Sequence, residues 1–222
     1  MIVLATHDDG ERRLRVIELQ HDGSRAYVEG DALYTHIDRD GENLLAYVET
    51  MRGALAASAR VLLLGTAGGA LATALSRRGA EVTAVDDMAW AFTAARRWFH
   101  LPSRIECVHA DARAFLRGGR RRWNGVAVDL FRGMEIPDQF MTSEFGDLLL
   151  GALEPGGVVV WNVADAPFSW TAAWVGRAMR RIGLVPEMIQ VTNDEYSNTV
   201  VVCRAPGRAA GPARRLGVQL LK

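Results

Sequence analysis

The sequence predicts an α/β domain in which helices cover both faces of a mostly parallel sheet. Short apolar segments recur along the chain, amphipathic stretches separate them, and a brief polar turn joins the last two segments. Continuous apolar strands that alternate with amphipathic helices are typical of a parallel sheet. The length of 222 residues fits one such domain with a small appendage.

Residues 1–42 are predicted to form that appendage, a small N-terminal β-ribbon. Within it, residues 14–19 and 25–29 have the composition of short strands, and Gly30 is expected to end the second strand. Beyond this ribbon the apolar spacing becomes helical, which marks the start of the α/β domain.

The α/β domain is predicted to span 43–204, with 205–222 as a tail rich in Ala, Pro, Gly and Arg. Its predicted strands are 61–64, 81–85, 104–109, 125–129, 157–161, 184–191 and 198–202, and the helices after the first are 69–78, 88–99, 111–117, 140–153 and 168–182. The last two strands lie too close for a parallel crossover and should be antiparallel. A seven-stranded sheet with such an antiparallel terminal pair indicates a Rossmann-like class I methyltransferase fold.

Composition narrows the function classes. Hydrophobic residues make up 49% of the chain and charged residues 23%, with 26 basic and 26 acidic residues. This balance favours neither nucleic acid nor an anionic membrane as a partner. The acidic N-terminus and the lack of a run of ~18 apolar residues predict neither a signal peptide nor a membrane span. Cys107 and Cys203 are too few for a disulfide framework, so a cytoplasmic location is expected.

The first candidate binding element is the small-residue turn after the first parallel strand. It contains Gly65, Thr66, Ala67 and Gly69. Small side chains let a ligand approach the backbone, and the following helix offers free N–H groups. The glycine spacing departs from the dinucleotide fingerprint, which disfavours a dehydrogenase. A tight strand-to-helix turn also requires small residues for packing alone, so a purely structural role for this turn stays open as the alternative.

The second element is an acidic pair at the end of the next strand, Asp86 and Asp87. They follow the glycine turn by roughly 20 residues, a spacing that suits a carboxylate for the ribose hydroxyls. Asp86 is the ribose candidate, and Asp87, also placed at the cofactor site, is expected to cap the next helix. The alternative is that both carboxylates only cap the next helix.

Two later strands also end in carboxylates. Asp111 could accept the exocyclic amine of adenine, with the Ala112 N–H near a ring nitrogen, and a plain N-cap explains the same segment. Asp129 ends the fourth parallel strand. Ligands of open α/β sheets bind beyond the carboxyl ends of the strands. The carboxylates Asp86, Asp111 and Asp129 should therefore meet the Gly65 turn at one edge.

With these elements the chain resembles the spermidine-synthase-like branch of the class I S-adenosylmethionine-dependent transferases. The similar segments are Gly65–Gly69, Val85–Asp86, Ala110–Leu116, Val128–Phe131, Thr142–Phe145 and Leu153–Val158. In that family the acid after strand two holds the ribose, that after strand three contacts adenine, and that after strand four faces the substrate amine. The resemblance therefore implies these roles for Asp86, Asp111 and Asp129 respectively.

The resemblance further implies S-adenosylmethionine or its decarboxylated form as cofactor, no metal, and a small-molecule acceptor. Asp129 would be the catalytic residue that orients or deprotonates the attacking amine. Weaker candidates for acceptor contact are Tyr34 and His36, in the segment that covers the nucleoside site in the family. Trp161 and Asn162, which end strand five at the site edge, are further weak candidates.

The chain departs from aminopropyltransferases at two acidic positions. Those enzymes have an Asp inside the glycine turn, where this chain has Thr66, Ala67 and Gly68, and a second acid where this chain has Arg132. A cationic diamine needs carboxylates that compensate its desolvation, so putrescine is a poor acceptor. Arg132 either recognises a carboxylate or phosphate of the acceptor or is an exposed loop residue.

The sequence thus predicts a spermidine-synthase-like alkyltransferase, with aminopropyl transfer to an amine favoured by the resemblance. A small-molecule S-adenosylmethionine-dependent methyltransferase is one alternative, and a non-catalytic nucleoside-binding paralogue is another. A homodimer is compatible with each of them. No nucleic acid, membrane or metal partner is expected.

Overall fold

The computed structural model describes residues 1–165, 169–192 and 197–206. The N-terminal part is a four-stranded antiparallel sheet in the order β1-β2-β3-β4. Its strands are β1 (Ile2–Asp8), β2 (Arg13–Glu18), β3 (Arg25–Glu29) and β4 (Ala32–Ile37). We call this the N-terminal sheet.

The remainder forms a seven-stranded sheet in the order β10-β11-β9-β8-β5-β6-β7, with helices in the connections. Its strands are β5 (Arg60–Leu64), β6 (Glu81–Asp86), β7 (Glu106–His109), β8 (Trp123–Val128), β9 (Leu153–Val163), β10 (Val185–Thr192) and β11 (Ser197–Arg204). The helices are α1 (Ala46–Ala54), α2 (Ala70–Arg77), α3 (Ala89–Trp98), α4 (Ala112–Gly118), α5 (Ser143–Ala152) and α6 (Trp170–Arg181), with a short 3-10 turn at Asp138–Phe140.

Strand directions agree with the predicted fold class. Strands β5 to β9 pair in parallel, and β11 pairs antiparallel with both β9 and β10. The predicted seven-stranded sheet with an antiparallel terminal pair is confirmed. The predicted tail falls outside the described residues beyond Pro206. Within the described ranges, no helix combines the length and the apolar character that a membrane crossing requires.

The N-terminal sheet lies within the predicted range 1–42 but has more strands than the sequence indicates, because β1 and β4 were not expected. Gly30 ends β3 as predicted, and because Glu29 pairs with Ala32, Gly30 and Asp31 form a two-residue hairpin turn that leads into β4. Gly30 has a φ of 57°, the left-handed conformation that such hairpins use. The sequence does not predict β1 because this edge strand has no buried face that would produce an alternation of apolar and polar residues.

The alternation of side chains along β5 produces two apolar layers, one on each face of the main sheet. Leu62 and Leu64 pack into one layer, and Val61 and Leu63 pack into the other. All four are buried, as expected for a central strand covered on both faces. The carboxyl end of β5 is thereby fixed at the middle of the sheet.

The N-terminal sheet is attached to the main domain through an aromatic cluster on α3. Tyr27 of β3 packs against Trp90 and Phe99, with ring centroids 5.6 Å and 6.3 Å away. Arg25 also donates to the Trp98 carbonyl oxygen at 3.1 Å. This packing holds the sheet beside the carboxyl ends of the parallel strands.

Phe145→Ala is expected to destabilise the fold by about 3–5 kcal/mol because it empties a fully buried site. The Phe145 ring lies 5.1 Å from that of Phe140 and 5.6 Å from that of Trp161. Trp170→Ala is the matched control, since this aromatic side chain is 73% exposed. Its cost should stay within about 0.5 kcal/mol. Urea unfolding measures both, and equal losses would contradict the packing described here.

Candidate active site

A cavity of about 620 Å³ lies beyond the carboxyl ends of the strands. Six of the seven strands of the main sheet contribute residues at or next to their ends to the cavity lining, among them Gly65, Asp86, Ala110, Asp129, Asn162 and Asn198. The structure thus brings together the elements that the sequence places at this edge. In strand order, one half of the cavity lies over β5, β6 and β7 and the other over β8, β9 and β11. We call these the nucleoside half and the acceptor half.

Gly65 connects the two halves because the β8 backbone passes directly beside it. Its φ is 85°, and a Cβ at this position would lie 2.0 Å from the Asp129 carbonyl oxygen. The Gly65 N–H donates to the Val85 carbonyl oxygen at 2.9 Å, and the Asp129 N–H donates to the Leu64 carbonyl oxygen at 2.8 Å. No other residue type fits both this conformation and this space.

Asp86 braces the glycine turn with its carboxylate. Its Oδ2 accepts from the Thr66 and Ala67 N–H groups at 2.8 Å and 3.2 Å, and its Oδ1 accepts from the Met88 N–H at 2.9 Å. Burial raises the pKa of Asp86, and these three hydrogen bonds oppose that rise. A carboxylate has about four acceptor sites. Asp86 therefore retains capacity for about one further hydrogen bond, such as one from a ribose hydroxyl.

Asp87 lines the cavity but does not cap the next helix, so that expectation is wrong. The cap position of α3 is Met88, whose side chain makes no capping hydrogen bond, and the Met88 N–H donates to Asp86 and not to Asp87. Asp87 instead lies 3.2 Å from an Arg12 nitrogen and 3.7 Å from an Arg132 nitrogen. The partner Arg12 comes from a loop of the N-terminal sheet, which the local sequence around Asp87 could not indicate.

Asp111 performs the capping role that stood as the alternative to an adenine contact. Its Oδ1 accepts from the Ala114 N–H at 2.9 Å at the start of α4, and its Oδ2 accepts from Gln139 Nε2 at 3.2 Å. Asp111 and Ala112 both line the nucleoside half. The adenine contact stays a prediction.

Asp129 lies in the acceptor half and is held by an amide chain. Asn162 Nδ2 donates to Asp129 Oδ1 at 2.8 Å, and Asn198 Nδ2 donates to Asn162 Oδ1 at 2.9 Å. Burial raises the pKa of Asp129 to about 6, and the hydrogen bond from Asn162 opposes this rise. Asn198 was missed by sequence reasoning because it lies far along the chain, beyond a strand crossover.

The N-terminal sheet is joined to the loop after β8 by a partly buried ionic cluster. Glu29 accepts from Arg12 Nε at 2.8 Å, from the Gly133 N–H at 3.2 Å and from the Tyr34 hydroxyl. Burial acts to raise the pKa of Glu29, yet these donors hold it below its usual range. Burial and Glu29 together raise the pKa of Tyr34. Sequence reasoning noted Tyr34 but missed Arg12 and Glu29, which carry no motif.

Arg132 lies at the cavity mouth with a partly exposed side chain. One guanidinium nitrogen lies 4.0 Å from a Glu11 oxygen, in addition to the contact with Asp87. Its backbone forms an isolated bridge with Glu135. Both sequence interpretations of Arg132 are thus accommodated, since an exposed loop residue here also borders the cavity.

Three sequence candidates do not line the cavity. His36 Nε2 lies 3.2 Å from Ser24 Oγ within the N-terminal sheet. Trp161 is 1% exposed and packs against Phe145, because alternation along β9 turns it into the core while Asn162 faces the site. Gly69 begins α2 with a φ of 78°, and its role is conformational.

The nucleoside half fits a group of the S-adenosylmethionine type. Gly65, Thr66 and Ala67 offer backbone to a ligand, Asp86 has acceptor capacity left, and Asp111 borders the far end. Among the described residues, no three His, Cys, Asp or Glu side chains are grouped to hold a metal ion.

Comparison with known proteins gives concordant results, although no model of a known protein family matches the chain. A polyamine aminopropyltransferase from Chromobacterium violaceum is 27% identical over 158 residues, which are 66% of this chain and 60% of that protein. The chain thus spans less than two thirds of that relative. A probable spermidine synthase from Corynebacterium glutamicum superimposes with a TM-score of 0.75 at 19% identity, over 92% of this chain and 81% of the other.

The resemblance to the spermidine-synthase-like branch is confirmed. The class I methyltransferase fold is confirmed as well. The 1,6-didemethyltoxoflavin-N1-methyltransferase of Burkholderia thailandensis, solved with S-adenosylhomocysteine, superimposes with a TM-score of 0.58 at 17% identity. That likeness covers 90% of this chain and 99% of the methyltransferase.

Gly65→Ala is expected to destabilise the protein more than Gly79→Ala. Both glycines have positive φ, but a Cβ at Gly79 meets nothing within 4 Å. Gly79→Ala should therefore cost about 1–2 kcal/mol for the left-handed backbone alone. Gly65→Ala should cost at least about 1 kcal/mol more, because its Cβ meets the Asp129 carbonyl oxygen. Equal losses in chemical denaturation would refute the close approach of β5 and β8.

Proposed function

We propose that this protein transfers an alkyl group from S-adenosylmethionine, or its decarboxylated form, to a nucleophilic nitrogen of a small-molecule acceptor. The observation that carries the proposal is the position of Asp129. Its backbone touches Gly65 of the nucleoside half, and its carboxylate lines the acceptor half. The similarity to a polyamine aminopropyltransferase supports the same class of reaction.

A bound donor supplies an alkyl group attached to a positively charged sulfur, which needs no further activation by the protein. The chain's own residues bind, orient and exclude water. The Gly65 turn and Asp86 would hold the nucleoside, while Leu33, Leu45 and Tyr47 contribute apolar wall to the cavity. Such walls keep water from the attacking nitrogen.

Asp129 would accept the proton that the acceptor nitrogen loses. A general base works best when its pKa lies near the operating pH, and burial raises the pKa of Asp129 to about 6. Its carboxylate also gives a protonated amine a charge partner before attack. We therefore assign the acceptor nitrogen to the neighbourhood of Asp129.

Two donors fit this proposal on different grounds. The relative from Chromobacterium violaceum favours the decarboxylated donor and aminopropyl transfer to an amine. Methyl transfer from S-adenosylmethionine is favoured by the uncharged turn residues Thr66 and Ala67 and by Arg132 at the mouth of the cavity. At these positions the chain offers no carboxylate to the second ammonium group of a diamine acceptor.

Calorimetric titration with S-adenosylmethionine, decarboxylated S-adenosylmethionine and methylthioadenosine is expected to show binding of at least one donor. Asp86→Ala should weaken that binding by about tenfold or more, because it removes an acceptor and unbraces the turn. Asp147→Ala, on the exposed face of α5, is the control and should leave binding unchanged. Preference for the decarboxylated donor supports aminopropyl transfer, and preference for the full donor supports methyl transfer. Binding of none of the three would contradict the site.

Asp129→Asn is expected to lower turnover about 100-fold to 10,000-fold while donor affinity persists, because it removes the proton acceptor and charge partner of the amine but leaves the nucleoside half unchanged. In the unchanged protein, Asp129 must be deprotonated to act as a base. Activity should therefore fall as the pH drops through about 6, the pKa to which burial raises this carboxyl group. Initial rates measured across pH 5–8 locate this acid limb of the pH–rate profile. Donor binding without turnover of any amine would instead favour the non-catalytic paralogue.

A further inference from the structure

Two buried asparagines connect Asp129 with the antiparallel end of the sheet. Asn162 on β9 is 2% exposed, and Asn198 on β11 is 5% exposed. The residue opposite Asn162 is Val200, so Asn198 lies diagonally across the strand pair on the same face. The two amides therefore meet at the acceptor half, beside the Asp129 carboxylate.

The hydrogen bonds fix which way the Asn162 amide points. Its Oδ1 accepts from Asn198 Nδ2 at 2.9 Å, so its own NH₂ group faces Asp129 Oδ1 at 2.8 Å. The reversed amide would place a carbonyl oxygen against a carboxylate, with no proton between them. Asn198 thus selects the orientation in which Asn162 donates to Asp129.

The second oxygen of Asp129 is left for the cavity. Within the described ranges of the chain, Oδ2 has no hydrogen-bond partner, whereas Oδ1 is engaged by Asn162. We propose that Asn162 and Asn198 are positioning residues, which hold Asp129 as a carboxylate and present its Oδ2 to the acceptor nitrogen. This inference rests on the proposed function of the site.

The amide chain is uncharged, so it acts through hydrogen bonding rather than through a net field. The charged or titratable side chains that share the cavity with Asp129 are Arg12, Tyr27, Asp31 and Tyr34 of the N-terminal sheet, Tyr47 of α1, Asp86 and Asp87 after β6, Asp111 at α4, and Arg132 of the following loop. Substitution of either asparagine leaves all of these in place. A change in the pKa of Asp129 would then report the loss of the amide.

Asn162→Leu is expected to raise the pKa of Asp129 by roughly one to two units, because the carboxylate loses a charge-assisted donor. Asn198→Leu should raise it by less, since Asn162 remains but is free to turn. In an Asn162→Leu background, Asn198→Leu should add nothing. Carbon-13 NMR titration of the Asp129 carboxyl resonance, assigned by its loss in Asp129→Asn, measures each value without any substrate.

Thr199→Val is the matched control. Thr199 adjoins Asn198 on β11, is 3% exposed, and has a hydroxyl with no hydrogen-bond partner among the described residues. It should leave the pKa of Asp129 unchanged. If Asn162→Leu does not fold, Asn162→Ser keeps a small polar side chain there and still removes the amide.

An unchanged pKa in Asn162→Leu, or equal shifts from Asn198→Leu with and without Asn162, would overturn the proposal. In the active protein the acid limb of kcat/KM should move upward by the same amount as the NMR value, with donor affinity unaffected. The NMR titration does not depend on turnover. If the protein transfers no alkyl group, the proposed function fails while the effect of the amides on Asp129 is still measured.

Discussion

The contact between the Gly65 backbone and the Asp129 carbonyl oxygen is the constraint on which the site depends. Strand β5 is central, and its end exchanges hydrogen bonds with the ends of both neighbours through Val85 and Asp129. Because Gly65 has no Cβ, the β8 backbone can lie directly beside the turn. The glycine turn and Asp129, which carry the proposed binding and base roles, thereby become parts of one edge of the sheet.

The N-terminal sheet completes this site by electrostatic contacts. Glu29 is the centre, since it receives hydrogen bonds from Arg12, Tyr34 and the Gly133 N–H. Arg12 also reaches Asp87 after β6, so one guanidinium connects the sheet to the nucleoside half. A buried carboxylate with this many donors stays ionised. The sheet is therefore a wall of the cavity as well as an appendage to it.

Sequence patterns predicted the parallel strands and the placement of Asp86, Asp111 and Asp129, because strand ends follow directly from local hydrophobicity. These patterns could not show which side chains contact one another across the fold. Asp111 caps α4, whereas Asp87 pairs with an arginine distant in sequence and does not cap α3. Of the two candidates that end strand five, alternation along β9 turns Trp161 into the core and Asn162 into the cavity, which the sequence alone did not decide. Asn198 required knowledge of the β9–β11 register.

The two halves of the cavity differ in how far they depart from the aminopropyltransferase pattern. The nucleoside half keeps the glycine turn and the acidic strand ends. In the acceptor half, the second carboxylate is replaced by Arg132, and the neighbours of Asp129 are the neutral amides Asn162 and Asn198. A dicationic acceptor bound beside Asp129 would have the Arg132 guanidinium in the same cavity, which is unfavourable.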